Sequence, residues 1–246
     1  GSPGVVIARK SFLNAIEPED VGGGMVDKVY PDNYFVTKKF PDREEAGTPN
    51  ILGAITLGAS IHVLDTIGME NILEEDKNLI QYTMNQLKKY KEIHIYGDTD
   101  INNCPRAGTI SFNILNMDHG LVAAILNDYF NIAVRNECFC AHPYVQEMLS
   151  ATHQKELDNC EFKDNNLSWK MDPWMGMVRV SFGLYNNKKD VDMLISSIDQ
   201  IIKNKNFYKK QYHINKDGDY KHTNFNFSSD DFFSLTETID EEIKIL

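Results

Sequence analysis

The sequence has few cysteines and no long apolar run. Its four cysteines are Cys104, Cys138, Cys140 and Cys160, in a chain of 246 residues. So few cysteines cannot hold a chain of this size together, and a Cys138–Cys140 disulfide would be strained. No stretch approaches the roughly 20 apolar residues of a membrane span, and the N-terminus lacks the pattern of a signal peptide. We therefore expect reduced thiols, no membrane partner and, by default, a cytoplasmic location.

An excess of positive charge is also missing. The chain has 36 acidic and 25 basic residues and a formal net charge of -11. This balance argues against a nucleic-acid backbone or an anionic membrane as the main partner, and it favours solubility. With 42% hydrophobic residues, the chain can bury the core of one large domain or of two modest ones.

A complete set of metal ligands is missing as well. Cys138, Cys140 and His142 alternate within RNECFCAHP, residues 135–143, but no fourth ligand follows at a characteristic spacing. A second interpretation makes both cysteines small buried apolar residues. In a third, Cys140 is a nucleophile, because Arg135 and His142 lie close in sequence and favour the thiolate. We predict no metal site.

What the sequence does contain is an alternation of strand and helix patterns. Strands are predicted in residues 4–8, on both sides of Pro31–Asn33, and in residues 93–97, 108–115, 132–135 and 177–184. Helices are predicted in 9–16, from Thr48 to Gly68, from Met69 to about Lys91, in 119–130, from near Pro143 and in 188–203, with a polar insertion at 154–172. This order predicts an α/β or α+β fold.

Arg179 stands in the middle of the predicted strand MVRVSFGL. The apolar residues of this strand alternate at Val178, Val180, Phe182 and Leu184, which places Arg179 and Ser181 on the other face. A buried guanidinium without a partner costs several kcal/mol, and its fork matches a carboxylate. The partner is either a substrate carboxylate or a structural Asp or Glu, and the spacing leaves both open.

Two segments could approach a phosphate group. Gly22–Gly24 forms a predicted turn in which the backbone can come close to a ligand. Gly47, Thr48 and Pro49 follow later, with Thr48 as the predicted N-cap of a helix and Pro49 in its first position. A hydroxyl and free N–H groups at a helix N-terminus suit a phosphate, but ordinary capping explains this segment equally well.

Four sequence blocks follow one another in a distinctive order. They are REEAGTPNILGAITLGA (43–59), GTISFNI (108–114), IAVRNECFCAHPYV (132–145) and GMVRVSFGLYN (176–186). Together they resemble successive blocks of the cysteine desulfurase and selenocysteine lyase branch of the class V aminotransferases, which use pyridoxal 5'-phosphate (PLP). The resemblance extends to about Lys203 and implies the C-terminal part of a type I PLP-dependent transferase, an α/β fold. We expect the end of its large domain at 1–66, its small α+β domain at 67–205 and an acidic, aromatic tail at 206–246.

The resemblance also implies the roles of individual residues. Cys140 would accept the sulfur of cysteine as a persulfide and leave alanine. Arg179 would hold the amino-acid carboxylate, and Arg135 and His142 would belong to the same substrate pocket. A separate protein could then accept the sulfur.

Cofactor binding is implied for the two segments near the N-terminus. Thr48, Gly47 and Gly22 would reach the PLP phosphate of the neighbouring protomer. A homodimer would then be part of the mechanism. The tail is rich in aromatic residues, unlike most disordered tails, so we expect it to pack on the body or on a neighbouring subunit.

Two departures from the family pattern affect the expected activity. Glu137 stands where the family usually has glycine, and its negative charge disfavours a nearby thiolate. No His-Lys pair occurs in the 246 residues, so the lysine that anchors PLP is not in this chain. PLP needs that bond to serve as an electron sink. We therefore expect the isolated chain to be inactive.

Two alternatives remain open. One is a class V aminotransferase or lyase of the same fold, without a persulfide step. The other is a non-catalytic chain that binds a partner subunit, with the acidic aromatic tail as the contact.

Overall fold

The computed structural model describes residues 3–104, 106–157, 176–225, 234–236, 238 and 239, and for 151–157 it describes the backbone alone. Cys160, most of the predicted insertion and the end of the tail lie outside these residues. The chain divides into two compact units, Gly1–Asn71 and Ile72–Leu246. The expected boundaries after residues 66 and 205 stay predictions.

The first unit begins with an extended segment and a short helix, α1 (Lys10–Leu13). The strand predicted for residues 4–8 is wrong. These residues form no strand, and the side chains of Val6 and Ile7 are 89% and 94% exposed. This apolar run has the composition of a buried strand. Among the described residues, however, no strand lies beside it to share backbone hydrogen bonds.

A hairpin follows the glycine turn of the first unit. Strands β1 (Val26–Tyr30) and β2 (Asn33–Val36) pair in antiparallel fashion, with Val29 opposite Tyr34. Both predicted strands are therefore confirmed, with shorter bounds. Most residues of both strands are exposed to solvent. Met25, directly before β1, is fully buried.

Arg43 ties two parts of the first unit together. It lies in a 3-10 turn, Asp42–Glu44, and is only 7% exposed. Its guanidinium donates to the carbonyl oxygens of Leu13 and Ile16 at 2.9 and 2.6 Å, and it also pairs with the Glu44 carboxylate. The charge of this buried arginine is thus satisfied within the unit.

Helix α2 (Ile51–Ile67) starts two residues later than predicted. Its N-cap is Asn50, whose side-chain oxygen accepts the N–H of Gly53 at 2.9 Å. The prediction that Thr48 caps the helix is wrong, because the Asn50 side chain satisfies the N-terminal N–H instead. The predicted end at Gly68 is confirmed, and this glycine has a φ of +88°.

The second unit is built on a three-stranded antiparallel sheet. Its strands are β3 (Ile93–Ile95), β4 (Thr109–Ile114) and β5 (Val178–Ser181), in the order β3-β4-β5. All three were predicted. Because β5 ends at Ser181, Leu184 falls in the following turn and is exposed rather than on the strand's apolar face.

The fourth strand predicted for this sheet, residues 132–135, does not form. Only Arg135 pairs with β5, in an isolated bridge to Arg179. Ile132 and Val134 pack on the core, but a cavity of about 300 Å³ lined by Ala133 and Ser181 separates the segment from β5. The ladder therefore stops after one pair.

Helices pack on the sheet to form the core of the second unit. They are α3 (Met69–Leu87), α4 (His119–Phe130) and α6 (Lys188–Lys203), and α5 (His142–Leu157) follows the loop after α4. The largest fully buried core side chains are Ile80, Met84, Leu87, Ile110, Phe112, Ile114, Ile125, Leu126, Ile198 and Ile201. The predicted bounds of α4 and α6 are confirmed.

The beginning of the tail belongs to this core. It contains α7 (Lys205–Gln211) and a hairpin of β6 (Tyr212–Ile214) and β7 (Tyr220–His222). Tyr208 and Tyr212 are 7% and 8% exposed and join the core. The tail therefore packs on the core of the second unit at least as far as this hairpin.

No single helix of the described ranges is both long and apolar enough to cross a membrane. The consecutive helices α2 and α3 meet that test only as a bent pair, by length and composition alone.

Candidate functional site

The loop between α4 and α5 carries Cys140, and residues 135–141 are called the nucleophile loop below. Arg135 exchanges two backbone hydrogen bonds with Arg179 of β5, at 3.0 and 2.7 Å. The N–H of Met177 donates to the carbonyl of Glu137 at 3.1 Å. The outer edge of β5 therefore holds the first half of the loop.

The second half of the nucleophile loop has an unusual backbone. Glu137, Phe139 and Cys140 have φ angles of +78°, +53° and +59°. A residue other than glycine costs of order 1–3 kcal/mol in such a sparsely populated region, and residues of this kind cluster at functional sites. Glycine would relieve this cost at position 137, so the structure gives a physical reason for the family's usual residue there.

The two thiols of the loop have different surroundings. Cys138 is 2% exposed and lies in a small apolar cluster with Tyr96, Val145, Leu149 and Met177. Burial, and next the charge of Glu137, raise the pKa of the Cys138 thiol. Cys140 is exposed, so the interpretation as a buried apolar residue holds for Cys138 alone.

A metal ion shared by Cys138 and Cys140 would need both thiols on the same side of the loop. The Cys138 side chain is buried, whereas the Cys140 side chain is exposed. Within the described part of the chain, no group of three His, Cys, Asp or Glu side chains is arranged to hold a metal ion.

Arg179 points its guanidinium at the nucleophile loop. The guanidinium carbon lies 4.9 Å from the centroid of the Phe139 ring, in cation–π geometry. Its Nε atom is buried without a hydrogen-bond partner. Among the residues with described positions, no Asp or Glu forms an ion pair with Arg179. The alternative of a structural carboxylate partner thus finds no support there.

The other two predicted substrate residues lie on the same loop or directly after it. Arg135 is held through its backbone and its side chain is exposed. His142 is the first residue of α5 and is also exposed. Arg135, Cys140 and His142 thus lie on or directly after this loop, and Arg179 contacts it through Phe139. Their shared role in a substrate pocket stays a prediction.

Three residues that brace the loop were missed by the sequence analysis. The Asn136 side-chain amide donates to Nδ1 of His119, a buried residue, at 3.3 Å. Gly176 lies close to both His119 and the loop. A Cβ added to it would be 2.4 Å from Nε2 of His119 and 2.8 Å from Cα of Glu137. The only sequence signal was the glycine at the start of the block GMVRVSFGLYN.

The predicted phosphate-binding residues come together in the first unit. A Cβ on Gly22 would lie 3.4 Å from Cβ of Ala46, and the N–H of Gly47 donates to the carbonyl of Gly23 at 2.8 Å. The prediction of a free N–H at Gly47 is therefore wrong. Thr48 is exposed, and within the described ranges its hydroxyl has no hydrogen-bond partner.

The Thr48 hydroxyl and the glycine turn are the parts of this cluster that suit a phosphate group. An unpartnered hydroxyl beside a glycine turn can receive a phosphate oxygen, and the turn allows close approach. The nucleophile loop belongs to the other compact unit.

Comparison with known proteins agrees with this geometry. The aminotransferase class-V family model matches residues 3–194. A probable cysteine desulfurase of Halalkalibacterium halodurans is 32% identical over 200 residues, which are 80% of this chain and 41% of that protein. A probable cysteine desulfurase of Pyrococcus abyssi is 31% identical, over 81% of this chain and 43% of that protein.

A solved structure is similar over the same extent. The apo structure of a cysteine desulfurase from Thermococcus onnurineus NA1 superposes with a TM-score of 0.64 at 31% identity, over 79% of this chain and 42% of the other. This chain belongs to the class-V aminotransferase family, and the predicted α/β fold of the PLP-dependent transferases is confirmed. It spans about two fifths of the length of the curated relatives it matches.

Proposed function

We propose that this chain is the C-terminal part of a PLP-dependent cysteine desulfurase in which Cys140 takes up the sulfur of cysteine. Relatives with that printed name, at about 30% identity, support the reaction class. The exposed thiol on a strained loop supports Cys140 as the nucleophile.

The observation that carries the proposal is the Nε atom of Arg179. It is buried without a hydrogen-bond partner, while the guanidinium lies on Phe139 of the loop that presents Cys140. A bound carboxylate would satisfy this Nε–H and accept a second bond from the same fork in bidentate fashion. Arg179 therefore binds the α-carboxylate of the amino acid and orients its sulfur towards Cys140.

The sulfur transfer balances without an external oxidant. The Cys140 thiolate forms an S–S bond to the sulfur of the substrate while the C–S bond of the substrate breaks. The pair of electrons of that bond stays with carbon, which then takes up a proton and becomes the methyl group of alanine. Cys140 is left as a persulfide, which a thiol of an acceptor protein can reduce or take over.

The cofactor would be held in part by the first unit. PLP supplies an electron sink when it is bound through a lysine. In this chain Thr48 would contact its phosphate by the free hydroxyl, and Gly22 would allow close approach, with Gly47 fixing the turn through its bond to Gly23. Because its 246 residues contain no His-Lys pair, the chain alone does not carry out the reaction.

A homodimer is part of this proposal. Helix α2 exposes Ile51, Leu52, Ile55, Ile61 and Val63 by more than half, and large exposed apolar patches mark interaction surfaces. A second copy would cover this helix, and Thr48 at its start would serve the PLP of that copy.

The test uses the full-length protein, loaded with PLP, and measures both sulfide release and alanine formation from cysteine. Cys140→Ala should lower the rate by at least about 100-fold, because the nucleophile is lost. Arg179→Ala should raise KM and lower kcat, and Arg179→Lys should recover only part of the loss because lysine lacks the fork.

The matched control is Cys104→Ala, which removes another exposed thiol outside the loop and should leave the rate unchanged. Sulfide release that survives Cys140→Ala would favour a lyase or aminotransferase without a persulfide step. Unchanged kinetics in Arg179→Ala would limit Arg179 to a structural role.

A further inference from the structure

The C-terminal hairpin β6–β7 lies beyond the family match, which ends at residue 194. It is anchored to α4 by side chains. The Tyr212 hydroxyl donates to the Asp128 carboxylate at 3.0 Å, and the Tyr129 hydroxyl and Nε2 of His222 form a hydrogen bond of 2.9 Å. The hairpin is therefore a fixed part of the second unit.

Tyr220 of β7 reaches the start of α4 beside the nucleophile loop. A Cβ added to Gly120 would lie 3.3 Å from the Tyr220 ring and 3.5 Å from the side-chain nitrogen of Asn136. The Tyr220 ring and the Asn136 side chain therefore lie next to each other on the same side of Gly120. Asn136 in turn is bonded to His119, the residue before Gly120.

A small cavity lies between the hairpin and the loop. Its volume is about 200 Å³, and its lining includes Asn136 and Glu137 of the loop, His119 of α4, and Asp219 and Tyr220 of the hairpin. The hairpin therefore forms one wall of the space next to the nucleophile loop.

We propose that this hairpin is a positioning element for the nucleophile loop, in which the Tyr220 ring packs beside Asn136 at Gly120. The loop needs such support, because three of its seven residues have left-handed φ angles without being glycine, and such a conformation persists only where surrounding contacts impose it. Strand β5 holds the first half of the loop by backbone hydrogen bonds, and the hairpin adds the contact of Tyr220 near Asn136. The importance of the loop for catalysis rests on the proposed function of Cys140, but the positioning itself does not.

The experiment is amide hydrogen exchange on the full-length protein with three variants. Tyr220→Ala removes the ring that packs on Gly120. Tyr220→Phe keeps the ring, and Lys221→Ala changes the next, exposed residue. In Tyr220→Ala the amides of Ala141 and Met177, which donate to Cys138 and Glu137, should exchange about tenfold faster through local opening.

The amides of Ile110 and Val180, which lie in the paired strands β4 and β5, should keep their wild-type exchange in all three variants. Tyr220→Phe and Lys221→Ala should match the wild type throughout. Wild-type exchange of the loop in Tyr220→Ala overturns the proposal. So does an acceleration of Ile110 and Val180 equal to that of the loop, since it would mean general destabilisation.

Sulfide release by the same variants separates this proposal from the proposed function. A slower release in Tyr220→Ala, with local loosening of the loop and rescue in Tyr220→Phe, is the expected result. Local loosening without any change in release would leave the positioning intact and would show that the order of the loop does not limit the rate, while the role of Cys140 is decided separately by Cys140→Ala.

Discussion

Helices α2 and α6 are nearly equal in length but bury their apolar side chains differently. They have 17 and 16 residues, and each starts at an asparagine cap. In α6, apolar residues are buried along one face at Val191, Leu194, Ile198 and Ile201. In α2 the single buried residue is Gly53.

The comparison shows two ways in which a sequence can specify a helix. Helix α6 is amphipathic and finds its apolar partners within its own unit, so it is complete as it stands. Helix α2 is apolar on every side, a composition typical of a helix that is buried all round. Its stability therefore depends on surfaces other than those of the first unit, such as the second copy proposed above.

The largest expected difference comes from a matched pair of substitutions. Ile198→Ala in α6 removes a fully buried side chain and should lower the free energy of unfolding by about 2–5 kcal/mol. Ile55→Ala in α2 removes a side chain that is 64% exposed in the single chain and should change the free energy of unfolding of the monomer by at most about 0.5 kcal/mol. In the proposed homodimer the same substitution should cost more, because the second copy covers α2. Urea unfolding followed by circular dichroism measures both. Equal losses would mean that α2 is covered in solution, and a loss for Ile55→Ala that grows with protein concentration would identify a second copy as the cover.

The two units should also differ in how their tyrosines make the stability of the fold depend on pH. Tyr96 of the second unit is 4% exposed, and burial raises its pKa to about 12 from 10.0. The Tyr96 hydroxyl loses its proton more readily in the unfolded state than in the folded state. Its contribution to the free energy of unfolding is therefore fully present below pH 10 and decreases as the pH rises towards 12. The decrease should amount to about 2 kcal/mol at the upper end of that range.

Urea unfolding between pH 8 and pH 12 tests this effect. Tyr96→Phe cannot ionise and should show a flatter decrease than the wild type, although it is less stable at pH 8 because the hydrogen bond from Asn113 is lost. Tyr30→Phe, at an exposed position of the first unit, is the control and should follow the wild-type curve. A wild-type slope in Tyr96→Phe would assign the alkaline loss to other groups.

The smallest expected difference concerns the two asparagine caps. Asn187 forms a reciprocal capping box with Asp190 at the start of α6, and Asn50 accepts one N–H at the start of α2. Asn187→Ala should cost about 1 kcal/mol, because α6 is packed into the cooperative core. Asn50→Ala should cost less in global unfolding, since fraying of α2 releases little buried surface. Denaturation midpoints check this order, and the reverse order would contradict the view that α6 is the better integrated helix.

Much of the second unit follows from the periodicity of its sequence. The bounds of α4 and α6 and the alternation in β4 were predicted because each element buries one face against the same core. The strands predicted for 4–8 and 132–135 failed for different reasons. No described strand lies beside 4–8, whereas 132–135 runs next to the edge strand β5 but pairs with it only at Arg135. Periodicity contains no information about either.

The candidate site was predictable where one residue type is needed for its chemistry. Cys140 and Arg179 stood out by thiol and guanidinium chemistry, and the fold places Arg179 against the loop of Cys140. The bracing contacts of His119, Asn136 and Tyr220 could not be found, because they join segments up to about a hundred positions apart through packing and one amide. The capping role given to Thr48 failed because the helix begins at Ile51 and Asn50 caps it by accepting the N–H of Gly53.

Gly176 limits how this protein can vary. The space next to its α-carbon is taken by the ring of His119 and by the backbone of Glu137. Every missense change of a glycine codon adds at least one carbon, so no change at codon 176 fits without shifting the nucleophile loop. In a library of random variants selected for correct folding of this unit, position 176 would keep glycine.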